Sequence, residues 1–529
     1  MHRLPLTLIA CVCACAPSVT SSDLPGGDAD GGGTAANTTG TDGGGDGDVA
    51  PPTDADGDGW DDVRDCDDGD PSINPAAPEI CDDGVDNNCN DEIDTDLSCL
   101  ESCAAAAATN SYFGCEFWAV DLPQFGLDKT FGISVSNPSP VDRATVTIQT
   151  AGGAATVLDV PPLGVATFED PERGNNVGDA GVFDRAYRLR SDRPVAAYQF
   201  NSIDTFRAAS TDASMLFARH NLARRYYTMD YSSSLFANNN FVAVYAVEPD
   251  TRVEIQPTAD VVGATEAILQ PFDVLLVLAT ATDATLTGTR VEADKPVGVF
   301  GGNRCANIPA MASFCDHLEQ QMFPRQAIGE RYIVSKTHPR RACDAEDYVR
   351  IMADDDGTSV AVLPSTEGPW NLDAGQWVEL TIAESVEVVA SKPVMVGQFM
   401  RSSGGDLCDA EGDPSFILQV PVEQFRRDYA FLVPPTYDSD YVGIVAPIEA
   451  TVMLDGVRLD LTAAEPVRGG AYVSLSVLVG DGAHRVDASA PVGVTVYGYG
   501  GPSPPNEDTQ NVSYGYPAGL DLAPINPVE

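Results

Sequence analysis

Positive charge is scarce in this 529-residue chain: 30 lysines and arginines stand against 79 aspartates and glutamates, a formal net charge of −49 at pH 7. That balance excludes nucleic acid as a natural partner, because a phosphate backbone attracts the opposite sign. It suits solubility, divalent cations or basic partners, and says nothing about fold. Histidine is rarer still, with five residues at positions 2, 220, 317, 338 and 484. Only His317, beside Asp316 and near Glu319, sits in a local cluster of acid and base character. Enzyme signatures are missing as well: there is no GxSxG elbow, no HExxH and no glycine-rich loop between a strand and a helix. The chain therefore reads as no enzyme, although the paired carboxylates of a glycosidase meet in space and leave no short motif.

What is present begins with an export signal. MHRLPLTLIACVCACAPS carries one arginine, an apolar run from Leu4 to Ala14 too short to span a bilayer as a mature helix, and cysteines at 11, 13 and 15 behind small residues. It resembles a bacterial lipoprotein signal over residues 1–14. That resemblance implies a lipidated Cys15 holding the protein to the outer membrane or cell surface, with Cys11 as the alternative site and an ordinary cleaved signal as the rival reading. Segment 15–52 is rich in Gly, Asp, Thr, Ser and Ala and has almost nothing apolar to bury, so it reads as a disordered tether. A flexible coil of this length reaches about 30 to 35 Å end to end.

Residues 53–104 form an Asp- and Cys-rich module. Its front fits a twelve-residue loop in which ligands come from positions 1, 3, 5, 7, 9 and 12 and glycine at 6 makes the sharp turn. Asp54, Asp56, Asp58, Trp60 through its carbonyl, Asp62 and Asp65 take the ligand positions, and Gly59 takes position 6. Hard oxygen donors without histidine favour calcium over zinc or copper. Asp65 is shorter than the usual bidentate Glu, which predicts a weak extracellular site of about 10⁻⁴ to 10⁻³ M. A poorer second register offers Asp86, Asn88, Asn90 and Asp94, with Asp91 at the glycine position and Leu97 at position 12. The alternative is a solvated acidic linker that gathers counterions diffusely.

Beyond Cys115 short β-branched and aromatic runs alternate with Gly, Pro, Asn and Asp, without helical periodicity of any length. This is all-β composition. One phrase returns as SDRPVAAYQF, ADKPVGVFGG, SKPVMVGQF and SAPVGVTVYGYG, its prolines at 194, 296, 393 and 491. Each proline is expected at the head of a strand, where a missing N–H costs least. Asp212, Asp316 and Asp413 follow by about twenty residues, then Tyr227, Tyr332 and Tyr429. Four tandem repeats of roughly 100 residues result, near 112–200, 201–302, 303–399 and 400–499, either sandwich-like modules or propeller-like blades. VSYGYPAGLDL, Val512 to Leu522, reads as a returning strand that closes the array. The three aspartates have two readings, a binding motif arrayed on one rim or caps of turns through backbone N–H bonds. Asp354, Asp355 and Asp356 before Gly357 read as a hairpin turn.

The body resembles the N-terminal domain of the IgGFc-binding protein family over about 111–525, carried by YFGCEFWAVDLP, DKPVGVFGGNRC…SFCDHLEQQMFP and VSYGYPAGLDL. The front block, about 54–94, resembles the MopE-type metal-binding motif through DCDDGDPSINP and EICDDGVDNNCND. By their names these resemblances imply an immunoglobulin ligand for the body and copper for the front block, whereas the residues themselves favour calcium.

Cysteines of an exported protein are expected in disulfides. Cys305 and Cys315, ten residues apart, read as a loop staple contributing roughly 2 to 3 kcal/mol; the alternative is a metal pair with His317. Cys343 and Cys408 pair by elimination. Cys66, Cys81, Cys89, Cys99, Cys103 and Cys115 supply three bridges of undetermined connectivity. The resulting expectation is a surface lipoprotein with a calcium-stiffened neck and a repetitive β domain that binds a protein or glycan. Its rivals are a secreted glycan-acting hydrolase and a structural envelope protein without soluble ligand.

Overall fold

The computed structural model describes residues 53–526, less 76, 78, 81–83, 90–98, 100–101, 126–129, 204–209, 233–239, 311, 313, 341–345, 366, 404–411 and 502–510. Cys15 and the tether therefore lie outside the described residues, as do Cys81, Asn90, Asp94, Cys343 and Cys408.

Four copies of one wiring diagram follow one another along the body. In module 1 the organising element is the long strand Tyr187–Asn201. Its first half pairs with Gly114–Ala119 and Ala144–Gln149, and its second half with Phe131–Ser136 and Ala213–Leu216. One strand thus belongs to two antiparallel sheets, which pack as a sandwich around the apolar side chains of both. Arg290–Ala306 plays this part in module 2 and Gly482–Gly500 in module 4; in module 3 the strand is divided into Val386–Ala390 and Val394–Phe399. The eighth strands are Ala213–Leu216, Asp316–Gln321, Phe416–Leu418 and Val512–Pro517, so each module ends one strand beyond the phrase that marks it.

The repeated proline sits where the long strand changes sheets. Pairing jumps from Arg190 to Val195 in module 1 and from Glu292 to Val297 in module 2. A similar jump from Asp487 to Val492 occurs in module 4. Pro194, Pro296 and Pro491 fall inside these gaps, where no ladder bond asks for their N–H. They are interior to strands rather than at their heads; only Pro393 immediately precedes one. A buried tyrosine fixes the same corner. The hydroxyls of Tyr226, Tyr332 and Tyr429 donate to the carbonyls of Val297, Val394 and Val492, each one residue past the proline. They accept in turn from the backbone N–H groups of Ala223, Gly329 and Arg426. In module 2 this part is taken by Tyr226 rather than by Tyr227.

The eighth strands explain how four sandwiches become one body. All four are buried, and they pack on one another in sequence around a common centre, Val512–Pro517 returning to Ala213–Leu216. The ring closes where Ser111 bridges Asp521 and the Leu522 N–H reaches the Asn110 carbonyl at 2.7 Å. The expected returning strand is thus the eighth strand of module 4, and the modules are sandwiches and a closed ring at once. Gly181–Asp184 of module 1 adds itself to the edge of Asp273–Ala279 in module 2, covering an edge that would otherwise template foreign pairing. Most buried apolar residues of modules 1, 2 and 4 form one continuous core, while module 3 keeps a second core around Tyr332, Val349 and Val388. Among the described residues no helix is long and apolar enough to cross a membrane.

Candidate metal loop and the buried hub

The front loop is shaped by its own carboxylates. Asp54 accepts the N–H groups of Gly57 at 2.7 Å and Gly59 at 3.1 Å, Asp56 that of Asp58 at 3.1 Å, and Asp58 that of Trp60 at 2.9 Å. Gly57 and Gly59 have φ of 84° and 104°, the left-handed region where a Cβ is strained. The curl brings oxygens of Asp54, Asp56 and Asp58 within 4.8 Å of one another. Buried second oxygens of Asp56, Asp58 and Asp65 have no hydrogen-bond partner. Desolvation holds the Asp56 carboxyl above its usual value, helped by the charges of Asp58, Asp65 and Asp54.

Orphaned acceptors facing like charges are what a hard cation relieves, and the donor set is all oxygen. Asp62 is differently engaged: its two oxygens accept from the N–H and hydroxyl of Thr53 at 3.1 and 3.4 Å. Of the second register, Asp86 and Asn88 are described; the Asn88 N–H donates to Glu79 at 3.3 Å.

Disulfides join Cys66 to Cys89, Cys103 to Cys115 and Cys305 to Cys315, and Cys99 is disulfide-bonded as well. The third bridge takes both sulfurs from any metal pair with His317.

The repeated aspartates converge at the hub rather than on a rim. Asp212, Asp316 and Asp413 are all buried. Asp212 caps its own turn through the Ala213 N–H at 3.0 Å and reaches the N–H groups of Glu319 and Phe416 and the Ser415 hydroxyl. Asp316 accepts from the N–H groups of Thr211, His317 and Ser513. Asp413 holds the Ser403 N–H and hydroxyl at 3.0 and 2.7 Å, while its own N–H meets the Ser513 hydroxyl. The Asp212 and Asp316 carboxylates stitch modules together, while that of Asp413 holds its own module's connection, which corrects the rim reading. Burial drives Asp212 and Asp316 well above the carboxylate range and Asp413 to about 7.

His317 is fully buried rather than a surface residue of its loop, 3.2 Å from Glu319. Burial pushes the imidazolium of the one down and the carboxyl of the other up, so both shifts favour neutral forms. Glu319 also receives the amides of Asn201 and Gln199. Both side chains are fully buried, and Glu319 is wired into the hub through its side chain and its own N–H. Asn201, Thr211 and Ser513 had no signal in the sequence, because only the meeting of distant modules gives them partners. A turn forms at Asp354–Gly357, with Gly357 at φ 69° and Asp354 in a buried ion pair with Arg325 at 2.6 Å. It is not the expected hairpin: it carries the chain from Asp347–Ala353 in one sheet to Thr358–Leu363 in the other, and the two strands do not pair.

Comparisons with known proteins follow this division. A metal-binding motif model of the MopE type matches residues 65–95, taking in Asp65, the second register and the Cys66–Cys89 bridge but leaving out Asp54 to Asp62. The human IgGFc-binding protein is 24% identical over 250 residues, which is 46% of this chain and 4% of that protein. A solved tetra-tandem repeat from the extending region of a large adhesion protein aligns over 77% of this chain and 99% of its own at 10% identity. Its TM-score is 0.08, so the two backbones do not coincide. The IgGFc binding protein family model matches residues 212–498, spanning modules 2 to 4 and more than half of the chain. The chain belongs to the IgGFc-binding protein family.

Proposed function

We propose that this is an exported, lipid-anchored binding or adhesion protein, held by Cys15 on a flexible tether, with a calcium-bound neck and a rigid four-module ring that presents ligand-binding loops. The observation that carries the reading is the placement of the hub. Side chains able to do acid–base chemistry there are buried in hydrogen bonds, many of them between modules. In module 1 the flanks of the connection from first to second strand and of that from seventh to eighth meet, the Ile203 N–H on the Thr130 carbonyl, and the Phe125 N–H reaches the Arg304 carbonyl of module 2. A rigid scaffold that carries recognition on its connecting loops is the ordinary arrangement for binding. Family membership supports binding as the activity, and the disulfides support an oxidising, extracytoplasmic setting.

Calcium is the ion that the all-oxygen loop favours, with Asp54, Asp56, Asp58 and Asp65 as side-chain ligands, the Trp60 carbonyl as a fifth and Asp62 at position 9. Its work there is structural, stiffening the neck. Arrays of glycans and proteins probed with the full chain should show saturable binding without product release. Turnover of a bound glycan would replace this reading with a hydrolase, and metabolic labelling that leaves the chain free of palmitate would remove the anchor.

A further inference from the structure

Module 1 carries a cavity of about 410 Å³ outside the hub and the metal loop. Its walls come from the helix Cys103–Ala108, the strand Gly114–Ala119, the first half of Tyr187–Asn201 and the turn Arg219–Asn221. The Cys103–Cys115 disulfide pins the helix beside the strand, and the alanines of CAAAAA offer no side chain long enough to fill the space.

Charge sets this cavity apart from the rest of an acidic chain. Arg190 and Arg219 line it, 55% and 44% exposed, on either side of a single lining carboxylate, Glu116. Glu116 is only 19% exposed and already engaged: Arg190 Nε lies at 3.3 Å, Arg219 at 3.8 Å and the Trp118 indole N–H at 3.2 Å. Arg219 also meets Glu248 at 3.4 Å. A third guanidinium, Arg188, stands behind the lining, two residues before Arg190 on the same strand face; it donates to the Gln149 side chain and packs on Trp118 and Phe272, while its buried Nε has no hydrogen-bond partner. Burial depresses the Arg188 pKa first, and the charges of Arg190 and Arg219 depress it further. Three guanidinium groups thus repel one another around two carboxylates, Glu116 and, at Arg219 alone, Glu248. A further carboxylate, brought by a ligand, would relieve that repulsion and take the planar, two-pronged bonding that guanidinium favours.

We infer that this cavity is a binding site for an acidic saccharide, its carboxylate held by Arg190 and Arg219. The inference deepens the binding reading above and rests on it. A saccharide is favoured over an extended peptide because the strand under the cavity is paired on both edges, with Gly114–Ala119 and Ala144–Gln149, and has no free edge to extend. The volume lies in the range of small-ligand sites. Ser191 and His220 in the lining supply polar groups suited to sugar hydroxyls.

The test is calorimetry on the full chain with tetragalacturonic acid, its methyl ester and an acidic peptide of equal charge. The acid should bind, weaken on raising salt from about 0.05 to 0.5 M, and bind at least tenfold more weakly to R190A and R219A. R143A, which removes an exposed arginine of the same module paired with Asp159, should bind as the parent does. Thermal melts of the variants should match the parent, because both arginines are exposed. Equal binding of acid and ester, unchanged affinity in R190A, or capture of the peptide alone would each overturn the site. A chain that still binds other array members after such a result keeps its binding role, whereas one that binds nothing loses that role as well.

Discussion

The Asp212 carboxylate of module 1 accepts the backbone N–H of Glu319 in module 2 at 3.1 Å, and through Ser415 and Phe416 it holds module 3 as well. One side chain is thus a joint for three modules, and its neighbours in the hub are carboxyls too. A ring assembled in this way carries a pH dependence.

Burial pushes Asp413 and Asp440 up to about 7, against an unfolded value near 3.9. A carboxyl whose pKa is raised on folding binds its proton more tightly in the native state. Its stabilising effect is complete below about pH 4, falls by about 1.4 kcal/mol per pH unit and group between there and the folded value, and tapers to its end as pH passes through that value. His317 and His220, both pushed down by burial, act in the opposite sense only below about pH 6.5. Urea midpoints should therefore fall from pH 6.5 to 8. Asp413→Asn, which keeps an acceptor for Ser403, should flatten the slope; a midpoint that rises over this interval would contradict the assignment.

Tyr332→Phe tests the corner at the module 3 proline. The substitution leaves the Gly329 N–H and the Val394 carbonyl without the hydroxyl that serves both. Buried groups left unpaired cost about 1 to 3 kcal/mol, and equilibrium denaturation should register a loss of that size. An unchanged midpoint would show that the hydroxyl contributes nothing to the corner.

How far the sequence reached differs between corner and hub. The proline phrase and the tyrosines are legible because they recur at fixed spacing, one copy per module. Even so, the choice between Tyr226 and Tyr227 depends on which way a strand face turns, and spacing alone does not show that. The aspartates were legible as repeated residues but not as joints. Their partners lie as much as 204 residues away, as with Asp212 and Phe416, and only the ring brings them together. Closure between Asn110 and Leu522 is further still from any local signal.

In the metal loop, the partners already present predict unequal roles. Asp65→Asn removes a charge whose free oxygen is buried beside Asp56, and should weaken calcium binding at least tenfold by calorimetry. Asp62→Asn, at a position engaged with Thr53, should change it by less than threefold. The reverse order would reject the loop as drawn. Chelation should speed proteolysis within residues 53–75 and leave the melting of the ring in place.

Replacing Cys305 and Cys315 together by serine reopens a ten-residue loop beside the hub. In the chain-entropy account this removes roughly 2 to 3 kcal/mol, which a shift in the urea midpoint under non-reducing conditions measures. Because the loop feeds Asp316 and His317, the double variant should also expose the hub to hydrogen exchange before the outer sheets.

The bridge between Cys103 and Cys115 has a mechanical meaning. A pull applied upstream of Cys103 enters the ring through a covalent bond into the strand Gly114–Ala119, and bypasses the six-residue helix between them. That strand lies along Tyr187–Asn201 with backbone bonds on its flank, so the load is met by many bonds in shear rather than by one helix unravelling turn by turn. Reduction of that single bridge would turn the first yielding event from the sheet to the helix, at a much lower force.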